Sequence, residues 1–115
     1  MLTYKDTSLV DFPAEDAENL FMPIPARIIS KVPHTQLETL FTLELPDNLT
    51  LGHRPGQFVE VSVFGVGEAP ISISSSPSRS TSRFELCVRR VGDVTSALHA
   101  LPVGGTVWVR GSFAG

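Results

Sequence analysis

Glu68-Ala-Pro-Ile-Ser-Ile-Ser-Ser-Ser-Pro77 is the stretch on which the fold turns. Ile71 and Ile73 alternate with Ser72 and Ser74 until serines, Pro77 and Arg79 break the pattern. Period-two alternation is the signature of a strand with one buried and one polar face. The polar face is small, uncharged and rich in hydrogen-bonding groups, which suits a flat polar ligand lying against the backbone. Alone, the stretch reads equally well as a barrel strand running into a serine-rich loop. A second stretch, Arg89-Arg-Val-Gly-Asp-Val-Thr-Ser96, reads as a strand end turning into a helix.

Outward from these two, alternation continues. Arg83 to Arg90 sets Phe84, Leu86 and Val88 inward, and Gln57 to Phe64 sets Val59, Val61 and Val63 against Glu60 and Ser62. Leu37, Thr39, Phe41, Leu43 and Leu45 share one face, stopped by Pro46-Asp-Asn48. Arg27 to Val32 is a strand, with Pro23 and Pro25 closing the segment before it and Pro33-His-Thr35 turning after it. Gly65 and Gly67 form the turn before the Ile71 strand. Gly65 to Pro70 is a hairpin turn rather than a dinucleotide fingerprint, since the third glycine is missing. Val94, Ala97, Leu98 and Leu101 follow a helical spacing ended by Pro102, and Thr106 to Arg110 is the last strand. Six short strands and one short helix before the last predict an all-β fold, a six-stranded antiparallel Greek-key barrel.

With 115 residues, 42 % of them apolar, the chain has the size of one domain with a modest core. It has no apolar run long enough for a membrane span and no secretory signal at its start, so no membrane contact and a cytoplasmic location are expected. Cys87, the one cysteine, excludes internal disulfides and a cluster ligated by this chain alone. His34, His53 and His99 share no metal-ligand spacing. A formal charge of −3 argues against nucleic acid as a partner. Seven of the nine basic residues are arginines, five of them after Ser78, so an anion would be held in the C-terminal third. Cys87 reads as a small strand residue and Trp108 as core or interface. Met1 to Met22, locally acidic through Asp6, Asp11, Glu15, Asp16 and Glu18, reads as an N-terminal extension to a barrel domain at 23–115.

Pro55-Gly-Gln-Phe58, Glu68 to Pro77, Val88-Arg-Arg-Val-Gly92 with Val94-Thr95, and Val109-Arg-Gly111 occur in one order and spacing. In these pieces the chain resembles the flavin-binding domain of the ferredoxin–NADP reductase superfamily. It is most similar to the gamma subunits of hydrogenases and sulfhydrogenases. The corresponding subunit of anaerobic sulfite reductase and the electron-transfer subunit of dihydroorotate dehydrogenase are relatives. The resemblance implies FAD as cofactor and an NAD(P)H-linked electron-transfer oxidoreductase as the parent enzyme. It also implies partners: a nucleotide-binding domain and an iron–sulfur segment, both absent from this chain, and hydrogenase or reductase subunits. The chain alone is then expected to be inactive, with no catalytic residue and no metal ligand of its own.

The resemblance also assigns residues. Ala69, Pro70, Ile71 and Ser72 are assigned to cofactor binding: Ile71 to Ser74 match the strand that meets the flavin ring, Ile71 where many relatives stack a tyrosine and Ser72 where a hydroxyl or N–H approaches flavin N5. Arg89, Arg90, Gly92, Val94, Thr95 and Ser96 match the segment around the pyrophosphate. There a helix start offers backbone N–H groups, Gly92 permits close approach, and the hydroxyls of Thr95 and Ser96 add donors. The bland alternative is an ordinary strand–turn–helix capped by Asp93, whose carboxylate repels a phosphate unless it turns to water. Arg89 and Arg90 are expected on opposite faces of their strand. Ala69 stands where many relatives carry an arginine that pairs with the pyrophosphate; Arg54, Arg79 and Arg90 are candidates to replace it. A flavin-free barrel serving as a protein-interaction module is the competing function.

Overall fold

Every second residue of each alternating segment is apolar, so each strand has a side that leaves water only by facing the others. The computed structural model describes residues 22–75 and 82–113, and there the segments form six strands. They are β1 (Ile24–Pro33), β2 (Glu38–Glu44), β3 (Phe58–Val63), β4 (Gly67–Ser72), β5 (Arg83–Arg89) and β6 (Thr106–Phe113), with helix α1 (Asp93–Ala100) between β5 and β6. The N-terminal extension and Arg79 lie outside the described residues.

The strands make one antiparallel sheet in the order β4-β3-β6-β1-β2-β5. Only β1–β2 and β3–β4 are sequential neighbours, and β6 inserts between β3 and β1, which is the crossing connectivity of a Greek key. The sheet curls until its two outer strands approach, and they meet at a single bridge, Ile73 to Leu86. There Ser74 N–H donates to Glu85 O at 2.9 Å and Glu85 N–H donates to Ser75 Oγ at 2.9 Å. Below that bridge β4 and β5 have no ladder between them, so the barrel keeps an open seam.

Phe41, Leu43, Val59, Val61, Phe84, Leu86, Val88 and Val107 are buried inside the curl. Leu98 of α1 joins them, with Val94, Ala97 and Leu101 packed alongside, so the helical face expected from spacing is the one that caps the barrel. Each such side chain contributes about 1.5–3 kcal/mol by leaving water. The helix is tied down at its far end by Lys31, whose Nζ donates to His99 O at 2.6 Å and Leu101 O at 2.7 Å. His99 Nε2–H donates to Val88 O at 2.8 Å and fastens the same turn to β5.

Several boundaries differ from the sequence reading. The first strand begins at Ile24, so Pro25 lies within it, paired with Trp108. It is tolerated because β2 pairs only from Arg27 onward, leaving one side of Pro25 without a ladder to disrupt. Leu37 does not join the inward face: it precedes β2 in the turn and is exposed, while its carbonyl accepts Arg90 N–H at 2.8 Å. Gly67 to Pro70 is strand rather than turn, the reversal occurring at 64–66. Trp108 is not core; it stands on the outer face of β6, 39 % exposed. Among the described residues no helix is long and apolar enough to cross a membrane.

Candidate functional site

The seam follows from where the chain can and cannot pair. Ile73 N–H donates to Gln57 O, on the β3 side, at 3.1 Å, whereas Ser74 N–H donates to Glu85 O on the β5 side. Backbone direction alternates along a strand, so the backbone groups of Ser72, Pro70 and Glu68 turn toward the seam. Proline carries no N–H, which leaves Ser72 as the first donor below the bridge. Its side chain is exposed, so Ser72 presents both a hydroxyl and an N–H to anything lying along β4. Ile71, by contrast, is 7 % exposed and belongs to the core. It supports β4 from behind. Ala69, on the same side of the strand, is half-buried and adds no charge.

At the lower end of the seam stands the start of α1. Gly92 is the N-cap, not Asp93, which occupies the first helical position and is exposed. Ser96 N–H closes the first helical bond on Gly92 O at 2.9 Å. The N–H groups of Asp93, Val94 and Thr95 therefore precede the first intrahelical bond and face outward as donors. Thr95 does more than lend a hydroxyl. Its Oγ1 accepts from Val91 N–H and Gly92 N–H, both at 2.9 Å, and donates to Gly92 O at 3.2 Å. Two accepted bonds and one donated bond exhaust a hydroxyl, so Thr95 shapes the turn and offers its backbone N–H to a ligand. Ser96 Oγ is exposed.

Two glycines make this junction. Gly67, with φ +147°, has a backbone that side chains rarely adopt, and a Cβ there would sit 3.4 Å from Val94 Cγ2. It lets the helix start lie directly against β4. Gly92 is extended (φ −160°), and a Cβ on it would meet nothing within 4 Å. Open space, rather than conformational need, is what Gly92 provides.

Charge is distributed to match. Arg27 and Arg83 both hold Glu44, whose carboxyl is kept below the usual range chiefly by the Arg83 hydrogen bond. Arg110 reaches across β3 to grip Glu68 with Nε at 2.9 Å and Nη2 at 2.8 Å, holding that carboxyl low as well. Glu60, between them, is pushed up by burial and then by the neighbouring Glu68 charge. Among the described residues this leaves Arg54, Arg89 and Arg90 without a carboxylate partner. Arg89 ends β5 and Arg90 follows it beyond the strand; both are exposed, so they do not divide between a buried and an open face. They lie just before the helix start. Arg54 sits in the loop that Gln57 fixes, its N–H donating to Gln57 Oε1 at 2.7 Å.

His53 was invisible to motif reading. It is 5 % exposed, and its Nε2–H donates to Ser75 O at 3.0 Å, pinning the Arg54 loop to the chain leaving β4. A cavity of about 240 Å³ lies beyond the bridge, lined by Thr42, Ser75, Arg83, Phe84 and Glu85, and contains none of the expected site residues.

An open strand edge beginning at Ser72, a row of three free N–H groups and unpaired arginines near their start form a long, shallow, donor-rich track. A ligand with a flat polar ring and an anionic middle fits it, as FAD does. Residues 25–114 match the family model described as oxidoreductase FAD-binding domain. The chain is 48 % identical over 84 residues to sulfhydrogenase 1 subunit gamma of Pyrococcus furiosus, covering 69 % of this chain and 28 % of that protein. It is 33 % identical over 91 residues to a probable dihydroorotate dehydrogenase B (NAD(+)), electron transfer subunit, of Methanopyrus kandleri, covering 79 % and 33 %. Among solved structures, the cytochrome b5 reductase domain of Ulva prolifera nitrate reductase superposes with a TM-score of 0.71 at 24 % identity, over 83 % of this chain and 41 % of that one. The chain thus spans about a third of the length of the curated relatives it matches.

Proposed function

The chain belongs to the oxidoreductase FAD-binding domain family, and on that premise we propose that it is the flavin domain of an NAD(P)H-linked electron-transfer oxidoreductase of the hydrogenase gamma-subunit type. The observation that carries the reading is the seam: a barrel edge that no other described strand pairs from Gly67 to Ser72, with the start of α1 at its lower end. FAD bound there would supply the redox chemistry, exchanging a hydride with a nicotinamide nucleotide and single electrons with iron–sulfur centres.

The chain's own residues bind and orient. Ser72 offers its hydroxyl and N–H to the polar edge of the ring, with Pro70 and Ala69 continuing the strand beneath it. Ile71 holds that strand against the core. The N–H groups of Asp93, Val94 and Thr95 take the pyrophosphate, helped by the positive end of the helix. Gly92 leaves room for it, Ser96 adds a hydroxyl, and Arg89 and Arg90 supply countercharge that Ala69 does not. Asp93 turns to water, as its exposure permits.

The partners in this reading are a nucleotide-binding domain, an iron–sulfur segment and hydrogenase or reductase subunits, working in the cytoplasm. The family match favours a flavin domain over a flavin-free interaction module. Incubating the purified chain with FAD, desalting it and recording the visible spectrum tests the proposal. Retained flavin bands at one per chain are expected. A protein that stays colourless and does not change FAD fluorescence refutes it.

A further inference from the structure

The cavity of about 240 Å³ beyond the Ile73–Leu86 bridge has no part in the flavin reading. It lies against the outer face of β2 and β5. Phe41 and Leu43 of β2 and Phe84 and Leu86 of β5 are buried in the core, so Thr42, Arg83 and Glu85, alternating with them, face outward. Register sets Thr42 directly opposite Glu85, and Glu44 opposite Arg83. Ser75 closes the group, its Oγ accepting Glu85 N–H at 2.9 Å.

Polar groups here lack partners within the fold. Of the outward residues of β5, Glu85 alone is half-buried, while Arg83, Cys87 and Arg89 are exposed. Among the described residues no hydrogen bond or ion pair engages its carboxylate, or the Thr42 hydroxyl across from it. A carboxylate drawn partly out of water without a partner costs stability, and folding alone gives no reason for it. Arg83 gives only its Nε to Glu44, at 2.9 Å, so both of its Nη groups remain donors.

Charge and size select the occupant. Two cations, Arg27 and Arg83, and two anions, Glu44 and Glu85, share this part of the face. A ligand of one sign would upset that balance; a ligand bearing both preserves it. The unused groups are an acceptor-only carboxylate and a forked donor two residues apart on one strand face, about 7 Å along the strand. An ammonium and a carboxylate carried on one carbon fit between them. The volume falls below the range of about 300–1,000 Å³ typical of sites for drug-sized ligands, so the cavity suits a small metabolite rather than a nucleotide.

We propose that this cavity is a second site, separate from the flavin track, that binds a free α-amino acid as its zwitterion. Glu85 and the Thr42 hydroxyl take the ammonium, and the Arg83 Nη groups take the carboxylate.

Isothermal titration of the chain with L-alanine tests this, with ethylamine and propionate as analogues that each keep one charge. Alanine should bind with a Kd of about 1 mM or tighter. Both analogues should bind at least about tenfold more weakly, because each leaves one charged group of the protein unanswered. Glu85→Gln keeps the side chain's size and the backbone bonds to Ser74 and Ser75, so it should melt with the parent and lose about tenfold in alanine affinity. Thr42→Val, of the same shape, should lose less, since it removes one neutral partner. No binding of alanine at tens of millimolar overturns the proposal. So does an analogue that binds as tightly as alanine, or a Glu85→Gln variant that binds alanine undiminished. Should Glu85→Gln melt early, Thr42→Val decides, and unchanged alanine affinity there overturns the assignment. The titration contains no flavin, so its outcome is independent of the proposed function.

Discussion

Replacing Gly92 with valine separates ligand binding from folding unusually well. The residue is extended, a conformation valine adopts freely, and a Cβ there would meet nothing within 4 Å apart from its chain neighbours. The only folding cost is the weaker N-cap, less than about 1 kcal/mol. If the pyrophosphate lies on the N–H groups of Asp93, Val94 and Thr95, the branched side chain crowds it and loosens at least one charge-assisted hydrogen bond. Such a bond is worth about 1.5–3 kcal/mol, so affinity should drop about ten- to a hundredfold. Thermal melting makes this visible. With FAD at about 100 times the parent Kd, the parent gains about 2.7 kcal/mol. At about 4–8 °C per kcal/mol for a domain of this size, its Tm should rise by about 10–20 °C. A variant binding about thirtyfold more weakly at the same FAD concentration retains about 0.9 kcal/mol, or about 3–7 °C. Without FAD, parent and variant should melt within a few degrees of each other. Equal ligand-induced shifts in both proteins would mean that the pyrophosphate does not use the helix start, and the site assignment would fail.

Glu60→Gln should raise Tm at neutral pH, because a carboxyl whose pKa is raised by folding contributes stability below its unfolded pKa and loses it as pH rises through the folded value. Melting curves across pH should therefore converge in acid and separate above the usual carboxylate range. Lys31→Met removes both bonds to the last carbonyls of α1 and should cost about 1–3 kcal/mol by denaturant titration. The 115-residue chain with FAD supplied should oxidise NAD(P)H no faster than free FAD, since every strand among the described residues belongs to one barrel; turnover above that background would show that a nucleotide site lies within it.

The strands and helix were legible because burial writes itself into period. Val59-Glu-Val-Ser-Val63 and Phe84-Glu-Leu-Cys-Val88 alternate so cleanly that the inward faces follow directly. The seam was not legible. Periodicity says that a strand has two faces but not whether each of its edges has a neighbour, and that was decided by curl and register at Ile73 and Leu86. Pro70 and two glycines made the start of β4 look like a turn, although the missing N–H lies on the very edge that no other described strand pairs. The residue types at the helix start were readable, their roles less so. Thr95 turned out to accept bonds from the turn, and Gly92 to supply room rather than a special dihedral. Which arginines are available depends on Glu44, 17 and 39 residues from the two arginines it engages, and on Glu68, 42 residues from its own. No local pattern reports such pairings.

The unpaired length of β4 also bears on how the molecule behaves in a crowded solution. A bare sheet edge is a template on which a second copy can add a strand, and proteins guard such edges with proline, with charge and with brevity. All three are present between Gly67 and Ser72: Pro70 withholds a donor, Glu68 sets a carboxylate on the edge, and the strand is six residues long. The features that keep this edge from recruiting another chain are thus compatible with leaving it available to a small molecule. A substitution that restores the donor, such as Pro70→Val, should therefore endanger solubility before it endangers the fold, and saturating flavin should counter that aggregation.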